Sequence, residues 1–227
     1  MARHLTDGLR WTSIGTRLCD EALSAVDDDA LVGASGLPAW TRAHVVAHLD
    51  GNARALVNLA TWARTGVETP MYSSMDQRNA DIETGAGLPP PELRERFAQS
   101  CAALSDAMAQ LSEKAWSAEV VTAQGRTISA SEVPWMRARE VMVHAVDLDG
   151  GITFAELPED FLVALVADAV TRRGTLQGQP ALTLVADGRR WEVAGEGEPV
   201  RVAGSLAQVV AYVTGRAPLG PDQPAWL

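Results

Sequence analysis

The chain has 227 residues, a formal charge of −10 and 47% hydrophobic residues, enough apolar material for one large core or two small ones. No basic stripe is present to neutralise phosphates, which argues against a nucleic-acid partner, and no apolar run reaches membrane-spanning length. Cys19 and Cys101 lie far apart with no CxxC, and the N-terminus MARHLTDGLRW lacks the apolar core of a signal peptide, so a cytoplasmic protein without a disulfide framework is expected.

In chain order, residues 6–27 read as an amphipathic helix with Leu9, Ile14, Leu18, Leu23 and Val26 inward. The Asp27-Asp28-Asp29 run reads as a solvated turn, because the spacing and glycine of a calcium loop are missing. Thr41 is the expected N-cap of a long helix running to about Arg64 and ended by Gly66. Residues 67–75 are expected to be irregular, with a short helix over 75–84. Pro89-Pro90-Pro91 opens a helix to about Lys114. Alternation around Gln124-Gly125 predicts a hairpin over 118–130. Ser131 and Pro134 open a helix to about Leu148, and Gly150-Gly151 marks a boundary.

Beyond that boundary the pattern changes. A helix near 158–173 precedes two strands around Asp187-Gly188, a strong hairpin signal. A short strand over 198–202 follows, then a helix capped by Ser205 and ended by Gly215, and an irregular tail. The expected fold class is α+β, with a four-helix bundle in residues 1–150 and a small α+β domain in 151–227. No heptad seam or apolar strip marks an oligomer interface, so a monomer is expected.

Only four histidines occur in the chain, and three of them sit in two short apolar segments. AHVVAHLD carries His44 and His48; REVMVHAVD carries Glu140 and His144. Spacing i, i+4 puts each pair on one helix face. Each pair alone has a plainer reading: hydrogen-bonded core histidines for the first, a surface ion pair beside Arg137 and Arg139 for the second. Yet Val141, Met142, Val143 and Ala145 surround His144, and a buried carboxylate without a cation is costly. A metal held between the two segments satisfies all of these groups, with zinc the natural choice. Three protein ligands and an open position would make the site catalytic, leaving one of the four candidates spare. His44, one turn before His48, could reach a ligand of the metal, a bound cofactor or substrate. Asp147 could orient a ligating imidazole.

The runs WTRAHVVAHLDGNARALVNLATWARTGVETPMY and VTAQGRTISASEVPWMRAREVMVHAVDL resemble the mycothiol-dependent maleylpyruvate isomerases, within the DinB-like metalloenzyme superfamily. GSLAQVVAYVTGR and the closing tryptophan-leucine extend the resemblance over nearly the whole chain. ETPMY, TAQGRT and the ARE at Ala138 to Glu140 carry it most narrowly.

The resemblance implies zinc ligands His48, Glu140 and His144, with His44 beside the site but outside the triad. It implies functional arginines at Arg78, in DQRNADI, and Arg216, in VTGR, and hence an active site in a cleft between the domains. The implied partners are mycothiol and a small dicarboxylate; the implied reaction is cis-to-trans conversion of maleylpyruvate to fumarylpyruvate in gentisate-type aromatic breakdown. Cys19 and Cys101 lie in apolar helical patterns and read as core residues, so the reacting sulfur would be that of mycothiol. Two rivals keep parts of this picture. One is a mycothiol-dependent S-transferase, which leaves a stable thioether and needs no pair of carboxylate clamps. The other is a non-enzymatic binding module stabilised by zinc.

Overall fold

A computed structural model describes residues 4–221. The closing tryptophan-leucine and the end of the tail lie outside the described residues. The chain divides after Ile152 into two compact units.

The first unit is helical. It contains α1 (Leu5–Ser24), α2 (Asp28–Leu31), α3 (Arg42–Thr65), α4 (Met75–Ala86), α5 (Pro90–Ala109), α6 (Glu113–Trp116), a hairpin of β1 (Glu119–Val121) and β2 (Thr127–Ser129), and α7 (Val133–Asp147). The long helices α1, α3, α5 and α7 form the expected bundle: α1 packs along α7, and α3 is flanked by α5, α4 and α7. Leu18, Cys19 and Leu23 of α1, Leu49, Leu56 and Leu59 of α3, Phe97 and Leu104 of α5, and Val141 and Met142 of α7 are buried. Each large apolar side chain so buried contributes about 1.5–3 kcal/mol. Leu9 and Ile14, expected inward, are only half-buried.

Local signals explain most boundaries. Thr41 accepts a hydrogen bond from the His44 amide to start α3, and Gly66 ends it with φ 74°. Ser74 caps α4, and Pro90 stands in the first turn of α5. Two stretches depart from expectation. The aspartate run is the start of α2, with Asp27 as its N-cap accepting from Ala30 N. The helix expected to reach Lys114 ends at Ala109; Leu111 turns into the core, and Ser112 caps the separate α6.

The second unit comprises α8 (Glu159–Arg173), β3 (Pro180–Ala186), β4 (Arg189–Val193), β5 (Glu196–Gly204) and α9 (Leu206–Val213). Asp187 (φ 48°) and Gly188 (φ 78°) make the tight β3–β4 turn, since both central positions need positive φ. The sheet order is β4-β3-β5, with β4 antiparallel and β5 parallel to β3. The last strand, expected over 198–202, is nine residues long. It pairs with β3 alone, so Pro199, which has no N–H to donate, is tolerated on an edge. Phe161, Leu165, Val166, Leu184, Val202, Val209 and Val210 form the core.

Candidate metal centre

His48 stands in the second turn of α3, and Glu140 and His144 stand on successive turns of α7. Packing of α7 on α3 brings the two segments together. Glu140 Oε2 lies 2.9 Å from His48 Nε2 and 3.5 Å from His144 Nε2, and one potential ligand atom from each residue falls within 4.8 Å of the others. Ligands around a tetrahedral zinc at about 2.0–2.1 Å lie roughly 3.3 Å from one another, so the spacing suits such an ion. All three side chains are buried; Glu140, the most exposed, is 9% accessible.

The hydrogen bonds assign the ring nitrogens. His144 Nδ1 donates to Asp147 Oδ2 at 2.8 Å, leaving Nε2 turned toward Glu140. That Nε2 is buried and has no hydrogen-bond partner, so the nitrogen fits a group that would hold a cation. His48 Nδ1 accepts from Arg78 Nη2 at 3.0 Å, so His48 Nε2 carries the proton donated to Glu140. Burial pushes the Glu140 carboxyl up, but the two imidazoles beside it outweigh that and hold it well below the usual carboxylate range. Burial pushes His48 down, opposed by Glu140. Burial also lowers His144, yet the Asp147 and Glu140 carboxylates raise it overall. Both imidazoles must present an unprotonated nitrogen to a cation, so the affinity of the cluster for a metal should fall as pH falls.

Neighbouring elements complete the surroundings. The Trp40 ring, just before the α3 cap, lies 5.6 Å from the His48 ring at a 59° tilt. Gly85 lets α4 approach α3 one residue from His48: a Cβ there would come within 2.8 Å of Ala47 Cβ. This close approach delivers Arg78, which also bonds Asn79 Oδ1 and lies over the Tyr72 ring. Arg137 is not the surface partner of Glu140. It is buried in the bundle, where Nη1 donates to the Leu49 carbonyl and Asn52 Oδ1, and Nη2 to Cys101 Sγ. It thereby ties α7 to the turn of α3 that carries His48.

The other expected site residues sit as follows. His44 lies outside the cluster; its Nδ1 accepts from Thr41 N and its Nε2 faces Glu83 at 3.3 Å. Arg216 belongs to the second unit, where its Nη1 donates to the Thr214 carbonyl. Cys19 is fully buried with Sγ donating to the Val141 carbonyl, and burial pushes both thiols up, away from the reactive thiolate. Trp40, Tyr72 and the inward Arg137 were not anticipated as site residues.

The Asp147 contact gives a direct prediction. Asp147→Asn should weaken zinc binding about 10- to 100-fold, as loss of a carboxylate behind a ligating imidazole does. Competition with a chromophoric chelator measures it, and an unchanged Kd would remove the orienting role.

The family described as mycothiol maleylpyruvate isomerase N-terminal domain matches residues 3–149. Two solved structures are similar over 98% of this chain and 97% of their own. One is a mycothiol-dependent maleylpyruvate isomerase at 42% identity and TM-score 0.91; the other is a histidine-to-alanine mutant of a mycothiol-dependent maleylpyruvate isomerase at 40% and 0.93. No curated protein matches.

Proposed function

This chain belongs to the mycothiol maleylpyruvate isomerase family, and we propose on that premise that it isomerises maleylpyruvate to fumarylpyruvate with zinc and mycothiol. The convergence of His48, Glu140 and His144 from two helices carries the proposal, and the likeness to isomerase structures along almost the full chain supports it. The reading places the reaction in gentisate-type aromatic breakdown, in a cytoplasm where thiols stay reduced, and takes the protein as a monomer. Among the described residues no helix is long and apolar enough to cross a membrane.

His48, Glu140 and His144 would hold the zinc, leaving the fourth position that catalytic sites keep open. Bound there, the metal would supply acidification of the mycothiol sulfur, so that it reacts as thiolate. Addition of the thiolate to the conjugated double bond forms a C–S bond and moves the π pair onto the neighbouring carbonyl as an enolate. The former double bond turns as a single bond. Return of the pair restores the double bond and expels the thiolate, leaving the trans isomer with thiol and protons unchanged in number.

Arg78 has a second position to take in this chemistry. An imidazole that ligates through Nε2 carries its remaining proton on Nδ1, which cannot accept from a guanidinium. With zinc held by His48 Nε2, the Arg78 donors would be available to a substrate carboxylate or the enolate oxygen. Arg216 is proposed as the second carboxylate contact, on the sequence resemblance. His44 is proposed to support the bound cofactor from its position one turn before His48.

The test is turnover with the thiol substoichiometric. Zinc-loaded protein given maleylpyruvate and a tenth as much mycothiol should convert the substrate fully to the trans isomer, followed by NMR, with the thiol recovered. Consumption of thiol into a stable thioether would overturn the isomerase reading in favour of S-transfer.

A further inference from the structure

Arg173, in the last turn of α8, is only 4% exposed. A guanidinium stays charged, and burying a charge is costly unless it is well partnered. The chemistry proposed for the isomerase makes no use of this one. Its Nη2 donates to the Val213 carbonyl at 2.6 Å. Val213 is the last residue of α9, and the chain reaches Arg216 three residues later.

A helix leaves its last carbonyls without intrahelical donors, and at the end of α9 each of them is engaged. The Ala211 carbonyl accepts from Arg216 N at 2.7 Å, and the Tyr212 carbonyl from Gly215 N at 3.0 Å. With Gly215 at φ 75°, this crossed pair is a Schellman ending, in which the residue after the glycine is fixed by its own amide. The Val213 carbonyl takes Arg173, and the Thr214 carbonyl takes Arg216 Nη1 at 2.6 Å. The Arg216 side chain therefore lies against the Thr214 carbonyl, and Arg173 pins the peptide immediately before it. Val213 and Thr214 are buried, whereas Arg216 is only half-buried. A cation is also well placed at a helix C-terminus, where the helix dipole favours it. We propose that Arg173 is a positioning residue for Arg216: by holding the Val213–Thr214 peptide it sets the direction in which the Arg216 guanidinium meets a substrate carboxylate. The inference rests on the proposed reading of Arg216 as a carboxylate contact. It gives α8 a part in substrate recognition through α9, without any contact of its own.

The experiment is a double-mutant cycle on the zinc-loaded enzyme supplied with mycothiol. Arg216→Ala should raise the KM for maleylpyruvate about tenfold or more, as loss of a charge-assisted hydrogen bond does. Arg173→Met should raise that KM about fivefold through misalignment of the contact. Its kcat should stay within about twofold, because a contact made equally in ground and transition states appears in KM. Zinc content and the mycothiol Kd should match wild type. In the Arg216→Ala background, Arg173→Met should add less than about twofold, since no guanidinium is left to aim. A purely structural arginine would lower the thermal midpoint and leave the KM of the folded enzyme unmoved. Should the methionine variant fail to fold, Arg173→Lys keeps the charge and a donor but loses the planar fork, and should raise the KM about two- to threefold. That rise should likewise vanish beside Arg216→Ala. An unchanged KM in the folded Arg173 variant while Arg216→Ala raises it, or effects that multiply in the double variant, would overturn the positioning role and leave Arg216 standing. An unchanged KM in Arg216→Ala would sink the carboxylate contact and the positioning role with it.

Discussion

His144→Ala is expected to lose its zinc and its turnover together. Metal content after dialysis against a mild chelator should fall from near one per chain to background, and kcat/KM should drop by roughly 10³-fold or more, beyond the 10- to 100-fold typical of losing a group behind a ligand. The reason lies in the bond pattern. His144 Nδ1 is held by Asp147, so Nε2 is the nitrogen turned toward Glu140, buried and without a hydrogen-bond partner. Alanine there removes one of the three proposed ligands and deprives the buried Asp147 of the imidazole it holds. Stability should therefore fall as well, and circular dichroism must show the helices intact before the metal result is read. A folded variant that keeps stoichiometric zinc and near-normal turnover would remove His144 from the ligand set.

Arg137→Met carries the second large effect, on stability. Methionine preserves much of the volume but cannot bond the Leu49 carbonyl or Asn52 Oδ1, both now served at 2.8 Å. A buried acceptor left without a donor costs about 1–3 kcal/mol, so the variant should lose roughly 3 kcal/mol. The urea midpoint should fall with little change in slope. Because Leu49 follows His48 directly and Arg137 precedes Glu140 by one turn, zinc affinity should fall too. An unaltered midpoint would mean that the arginine is a passenger in the core.

Much of the site was legible because helical spacing is legible. His48, Glu140 and His144 stood out as polar groups in apolar runs, and the Thr41 cap and Gly66 stop placed α3 to within a residue or two. That α3 lies beside α7 is a matter of tertiary packing, which no local pattern encodes; the shared need of the buried imidazoles and carboxylate for a cation suggested it, and the family resemblance implied it. Arg137 was read as a solvated partner of Glu140 because charge suggested surface. Its spacing of three and seven residues from Glu140 and His144 marks it as sharing their inward face, a signal that charge masked. Trp40 precedes the helix and has no periodicity to place it. The early end of α5 was hidden because neither glycine nor proline marks it, Ser112 being the sole punctuation. The length of β5 was hidden by Pro199, whose tolerance depends on an edge position visible only in the folded sheet.

Anomalous diffraction at the zinc absorption edge, on crystals of zinc-loaded protein, tests the central claim most directly. A single strong peak should lie about 2.0–2.1 Å from the Nε2 atoms of His48 and His144 and about 2.0–2.2 Å from a Glu140 oxygen. A peak elsewhere, or fully active crystalline protein with no peak among these three residues, would contradict it.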